Sequence, residues 1–139
     1  MSLDVRKIID IRFSEVDSMG VVWHGSYVKF LEDGRECFGD KFGLGYLDVA
    51  AKGLLIPIVD MKLSYKKSAK YGDKLVVETK FICSLAAKLI FEYKIYREAD
   101  MALLVKAQTT QVFTDKDGQL LFCCPDFYNE WKKSVGISE

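Results

Sequence analysis

Between Glu15 and Tyr27 the chain reads EVDSMGVVWHGSY, a stretch that holds the only histidine, His24, together with the carboxylate of Asp17 and the indole of Trp23. An aspartate so placed can take a proton from water or attack an electrophilic carbonyl carbon itself. An amphipathic segment begins directly afterwards, and the unpaired N–H groups at a helix start face developing negative charge. Carboxylate and helix start together suit carbonyl chemistry. Each residue also has a plainer reading, since an isolated aspartate in a turn usually bonds its own backbone and a histidine at a helix entry is usually a satisfied polar group. Trp23 and Tyr27 could equally serve packing.

Composition narrows the alternatives. The 139 residues suit one domain, taken as 1–139, and carry 20 Lys plus Arg against 20 Asp plus Glu. A neutral chain has no general electrostatic reason to bind nucleic acid, so none is expected as a partner. With 50% hydrophobic and 13% aromatic residues it can bury a real core, which argues against disorder. One histidine cannot build a multi-histidine metal site, and the four cysteines form no C-x-x-C pair, so neither a metal nor a redox centre is expected. Free, mostly buried thiols in a reducing compartment fit instead. No run approaches the roughly 18 apolar residues of a membrane span, and the first residues lack a signal peptide's apolar stretch. A soluble cytoplasmic protein without a membrane partner is the expectation.

The elements that must position Asp17 and His24 follow from periodicity. Val5 to Phe13 alternates imperfectly and predicts a strand. Tyr27, Phe30, Leu31, Gly34, Phe38 and Phe42 recur at spacings of three and four, opposite Lys29, Glu32, Asp33, Glu36 and Asp40. That pattern predicts an amphipathic helix with Ser26 as its N-cap. Gly34, on the apolar stripe, hints at close approach to another element. After a glycine-rich connection through Gly43, Gly45 and Gly53, strands are predicted over Val59–Tyr65, Lys74–Ser84, Lys88–Arg97 and Ala102–Thr114. Asp115 to Gly118 reads as a turn before a short Gln119–Phe122 strand, and Pro125 to Lys133 as a closing helix. Short connections between consecutive strands require an antiparallel sheet. The fold class is α+β, with the one long helix burying its stripe against that sheet.

The pattern Asp17-x-x-Gly20-Val21-Val22-Trp23-His24-x-x-Tyr27 resembles the signature of hot-dog-fold thioesterases of the 4-hydroxybenzoyl-CoA thioesterase family, and more closely their acyl-CoA thioesterase branch. The segment from Tyr65 to Leu75 resembles the family's next strand, turn and strand. Ser68 stands where the family commonly has Pro, and Met19 where a smaller residue is usual. The resemblance implies a hot-dog fold, an antiparallel β-sheet wrapped around one long central α-helix, and hydrolysis of an acyl-CoA or acyl-carrier-protein thioester to a free acid. It implies no cofactor beyond the coenzyme A of the substrate, and a homodimer or homotetramer with sites between protomers. It assigns catalysis to Asp17 and His24, the backbone N–H of His24 being the oxyanion donor, and substrate contacts to Gly20, Val22, Trp23 and Tyr27.

Thioester chemistry suits so few groups. A thiolate with an ordinary pKa near 8.5 leaves readily, so one carboxylate and an oxyanion site could suffice. From Asp60 to Lys74 five lysines face two aspartates, a local charge of plus three. Lys66, Lys67 and Lys70 could hold the phosphates of coenzyme A as point charges, or form a solvated face. Other readings are a non-catalytic acyl-CoA-binding module, a hot-dog dehydratase or hydratase, and a thioesterase using Glu32 or Glu36 on the helix.

Overall fold

The computed structural model describes residues 3–137. In chain order its elements are β1 (Asp4–Asp10), a 3-10 turn (Phe13–Glu15), α1 (Ser26–Phe42), α2 (Tyr46–Ala50), β2 (Leu54–Leu55), β3 (Ile58–Tyr65), β4 (Lys74–Ile82), β5 (Lys88–Arg97), β6 (Leu103–Val112), β7 (Thr114–Asp115) and α3 (Asp126–Ser134). One antiparallel sheet has the order β1-β4-β5-β6-β3, and β2 pairs with β7 in a separate ribbon.

Directly opposed residues share a face of an antiparallel sheet. The register aligns Val77, Ile95, Val105 and Tyr65 in one row, then Thr79, Tyr93, Ala107 and Leu63, then Phe81, Phe91, Thr109 and Met61. These rows form the inner face, and α1 lies on it over β1, β4 and β5. Phe38 is fully buried, its ring 5.1 Å from Phe91 and 6.1 Å from Phe81, a cluster whose truncation to Ala typically costs about 3–5 kcal/mol. The outer face is polar, with Arg6 and Glu78 paired at 2.9 Å. This is the arrangement that the alternation and the helical stripe require.

Gly34 is where α1 comes closest to the sheet, because a Cβ there would run into the Thr79 hydroxyl and Val77. The helix ends at Gly43, whose φ of +73° is the left-handed conformation that glycine adopts without strain. α3 closes the same end, with Trp131 Nε1 donating to the Phe42 carbonyl at 2.7 Å.

Four expectations need correction. The N-cap of α1 is Gly25, not Ser26, because the Ser26 hydroxyl is drawn to the Glu15 carbonyl at 3.0 Å. The glycine-rich connection contains α2, started by a hydrogen bond from the Gly45 N–H to Asp48 Oδ2. Gln119–Phe122 makes no strand; only Leu120 bridges to Thr114. Cys83 and Cys123 are exposed, while Cys37 and Cys124 are half-buried and pack against the core, so the thiols are not mostly buried.

Candidate active site

Asp17 sits at the first corner of a very tight hairpin. Val16 and Val22 bridge, the Asp17 N–H donates to the Val21 carbonyl at 2.8 Å, and the Gly20 N–H donates to the Asp17 carbonyl at 3.0 Å. A three-residue loop of this kind needs a residue at positive φ before the returning strand, and Gly20 supplies it at +75°. A side chain at Gly20 would meet nothing within 4 Å, so its role is conformational. The Asp17 carboxylate forms the Asx turn of this loop, with Oδ1 accepting from Met19 N–H at 2.8 Å and Val21 N–H at 3.3 Å. Oδ2 has no hydrogen-bond partner among the described residues. The turn therefore orients the carboxylate and leaves one oxygen free.

The adjoining strand of the hairpin leads into α1, and Glu15 fixes that entry. Its carbonyl accepts from both the Trp23 N–H and the Ser26 hydroxyl, each at 3.0 Å. Its buried carboxylate accepts from the Arg12 N–H at 2.6 Å and from Lys29 Nζ at 2.8 Å. Burial pushes the Glu15 carboxyl upward, but the Lys29 hydrogen bond, the Arg12 N–H and the Lys29 charge together hold it below its ordinary pKa. Between the anchors at Trp23 and Ser26, the N–H groups of His24 and Gly25 find no acceptor among the described residues. Two unpaired amides thus stand at the start of α1. Trp23, 54% exposed, lays its ring against Gly25, where any Cβ would collide with it, and the His24 ring lies 5.0 Å from the indole.

The segment from Lys66 to Asp73 packs against the Asp17 hairpin. Val22 N–H donates to the Ala69 carbonyl and Tyr71 N–H to the Gly20 carbonyl, both at 2.9 Å, and Val21 bridges to Lys70. Arg97 holds this segment from behind, lying 3.4 Å from Asp73 and donating to the Ser68 carbonyl at 3.1 Å and to Asp100 at 3.0 Å. Lys66, Lys67 and Lys70 are exposed and form no ion pair among the described residues.

The structure therefore brings Asp17, Gly20, Trp23, His24 and the lysine segment together. Val22 and Tyr27, expected to touch substrate, are instead 4% and 2% exposed. Val22 belongs to the core, and the Tyr27 hydroxyl accepts from the Ala69 N–H at 3.2 Å, so both hold the loops in place. Glu32 and Glu36 lie apart from the Asp17 loop and line a cavity of about 1070 Å³ beside α1. Among the described residues no group of three or more His, Cys, Asp and Glu converges to hold a metal ion. Glu15, Tyr65 and Arg97 were not anticipated; their roles depend on partners distant in the chain, which no local pattern announces.

A tight carboxylate hairpin beside a helix start, on a sheet that wraps one helix, defines the hot-dog thioesterase class. The family model of the thioesterase-like superfamily matches residues 11–132, and the chain belongs to that superfamily. It is 34% identical over 133 residues to a Bacillus subtilis (strain 168) protein named "Putative acyl-CoA thioesterase YneP", covering 93% of this chain and 96% of that one. Among solved structures it is similar to the DHNA-CoA thioesterase of Staphylococcus aureus, with 27% identity, a TM-score of 0.83, and 95% and 90% of the two chains covered. It is also similar to the 4-hydroxybenzoyl-CoA thioesterase of Pseudomonas sp. strain CBS-3, with 25% identity, a TM-score of 0.80, and 92% and 98% covered.

Proposed function

We propose that this chain is an acyl-CoA thioesterase that hydrolyses an acyl thioester, carried by coenzyme A or an acyl-carrier protein, to the free acid and the thiol. One observation carries the reading: a single hydrogen-bonded unit holds the carboxylate of Asp17, with Oδ2 free, and the unpaired amides of His24 and Gly25. A thioester carbonyl oxygen gains negative charge as its carbon is attacked, and preorganised N–H donors stabilise that charge. Asp17 then works in one of two ways. Its carboxylate attacks the carbonyl carbon, the C–S bond breaks, the thiolate leaves, and water opens the resulting anhydride; or it takes a proton from water, which attacks directly. The His24 imidazole orients water or the carboxylate.

No metal is needed in this scheme, since the leaving thiolate requires no Lewis acid. Lys66, Lys67 and Lys70 hold the coenzyme A phosphates. A cytoplasmic setting suits cysteines that form no disulfide among the described residues. β3 ends the sheet with an open edge, and its Val59 and Tyr65 are 59% and 49% exposed, so a second copy can cover them in a homodimer or homotetramer. No helix of the described residues is long and apolar enough to cross a membrane.

The test is release of free thiol from a panel of acyl-CoA esters, followed with a thiol-trapping dye. Hydrolysis that tracks the purified protein through its final chromatographic step supports the reading. Tight acyl-CoA binding without turnover would replace it with the binding-module reading.

A further inference from the structure

The cavity beside α1 stands apart from the Asp17 loop and has a chemistry of its own. Part of its floor is the inner face of the sheet, where Leu89 of β5 and Gln111 of β6 are register partners and Phe91 follows on the same face. Leu55 and Ile56 continue that apolar surface, and the volume is about 1070 Å³. One wall is acidic. Glu32, Glu36 and Asp40 recur at intervals of four, a single line along α1, and all three are exposed. Like charges at this spacing repel, and none of the three forms an ion pair among the described residues. Asp48, the fourth carboxylate of the lining, accepts from the Gly45 N–H at 2.8 Å. Arg35, the one lysine or arginine among the described lining residues, donates to the Tyr93 hydroxyl at 3.2 Å. The lining thus carries an excess of three negative charges.

Gln111 makes an independent demand. It lines the cavity and is 3% exposed, and its Nε2 donates to the Ile56 carbonyl at 2.8 Å, a bond that fixes which end of the amide is the acceptor. Oε1 is buried and has no hydrogen-bond partner. An unpaired buried acceptor costs free energy that a donor entering the cavity would recover. The carboxylate row and the unpaired acceptor therefore ask for the same partner, a group with positive charge and N–H bonds. A bare metal ion fits less well, because among the described residues no three such ligands converge and the floor below the row is apolar.

We propose that this cavity is a second ligand site, for an organic amine. The ammonium lies against the α1 carboxylates and gives one N–H to Gln111 Oε1, while the apolar body covers Leu55, Ile56, Leu89 and Phe91. The site is separate from the Asp17 loop and does not depend on the thioesterase reading.

The experiment is calorimetric titration of the full chain with three probes: octylammonium, octyltrimethylammonium, which keeps charge and chain but has no N–H, and octanol, which has no charge. Octylammonium should bind saturably and about tenfold or more tighter than octanol, the scale of hydrogen bonds to a charged group. Gln111→Leu should weaken octylammonium by about tenfold and leave octyltrimethylammonium unchanged, since only the first probe can donate to Oε1. Glu36→Gln combined with Asp40→Asn should weaken both cations. Asp17→Asn should bind octylammonium as the wild type does. Absence of saturable binding overturns the proposal, as does octanol binding equally well. A folded Gln111→Leu protein that binds both cations as before, or loses both equally, also overturns it. If that variant does not fold, the octanol comparison and the Glu36 and Asp40 double variant decide. Loss of octylammonium binding in Asp17→Asn would put the amine at the Asp17 loop and overturn the second site.

Discussion

The Tyr65 hydroxyl donates to the His24 carbonyl at 2.9 Å, joining residues 41 positions apart. That carbonyl belongs to the same peptide unit as the Gly25 N–H, so an edge-strand side chain sets the orientation of a proposed oxyanion donor.

Tyr65→Phe keeps the ring against Tyr27, 5.6 Å away, but frees the His24–Gly25 peptide to turn. The expected outcome is a loss of about tenfold in kcat with little change in KM, together with about 1 kcal/mol of stability, the usual worth of one such bond. Steady-state kinetics and thermal melting check both. A rise in KM alone would instead make the Tyr65 ring a substrate contact.

Asp17→Asn retains the side-chain carbonyl that closes the Asx turn, so the hairpin should persist while both routes to hydrolysis are lost. A drop in kcat of about 10² to 10⁴ is expected, with acyl-CoA binding and oligomeric state preserved. His24→Ala should cost less, since its backbone N–H survives the substitution. Hydrolysis by Asp17→Asn within a few-fold of wild type would shift attention to Glu32 and Glu36. Single-turnover hydrolysis in heavy-oxygen water then separates the routes, because only the anhydride can return label to Asp17.

Glu15→Gln removes a charge whose folded-state pKa lies below the ordinary 4.5. Because the folded protein holds this proton less tightly than the unfolded chain, the stabilisation is complete above that ordinary value and is lost as pH falls through the lower folded one. At pH 7 the variant should be less stable by about 1.5–3 kcal/mol, the range for a hydrogen bond to a charged group. The gap between the two proteins should shrink as melts are taken below pH 4.5. A gap independent of pH would show that the loss is one of shape.

Replacing Lys66, Lys67 and Lys70 together by Ala should raise KM for acyl-CoA more than it lowers kcat, since contacts to distal phosphates contribute uniform binding. The effect should be largest at low ionic strength, where exposed charges are least screened. An unchanged KM at low salt returns these lysines to the role of a solvated face.

The strands and α1 were legible because burial on one face leaves a period, and β5 matches its expected limits, Lys88–Arg97. β3 carries the cleanest alternation yet is only partly buried, because alternation records which side faces inward and not what covers it. α2 was hidden behind glycines that read as loop. The functional loop was recognisable through Asp17, Gly20 and His24, whose spacing is local. What could not be read is how that loop is held: Glu15 reaches Lys29, Arg97 reaches Asp73, and Tyr65 reaches His24, and such pairings exist only once the sheet has formed. Ser26 illustrates the same limit, since a capping hydroxyl would accept from a backbone N–H of the helix, whereas tertiary structure has it donate to the Glu15 carbonyl.

The placement of Trp23 gives the protein an optical signal of its own. Of the two tryptophans, Trp131 is 7% exposed and tied to the Phe42 carbonyl, whereas Trp23 is 54% exposed beside His24. Their emission should therefore separate into a blue component that is constant and a red component that shifts in colour and intensity when a ligand displaces water from the indole. Trp131→Phe would leave Trp23 as the sole fluorophore, so that arrival of a thioester at the Asp17 loop could be followed on the stopped-flow timescale without any label.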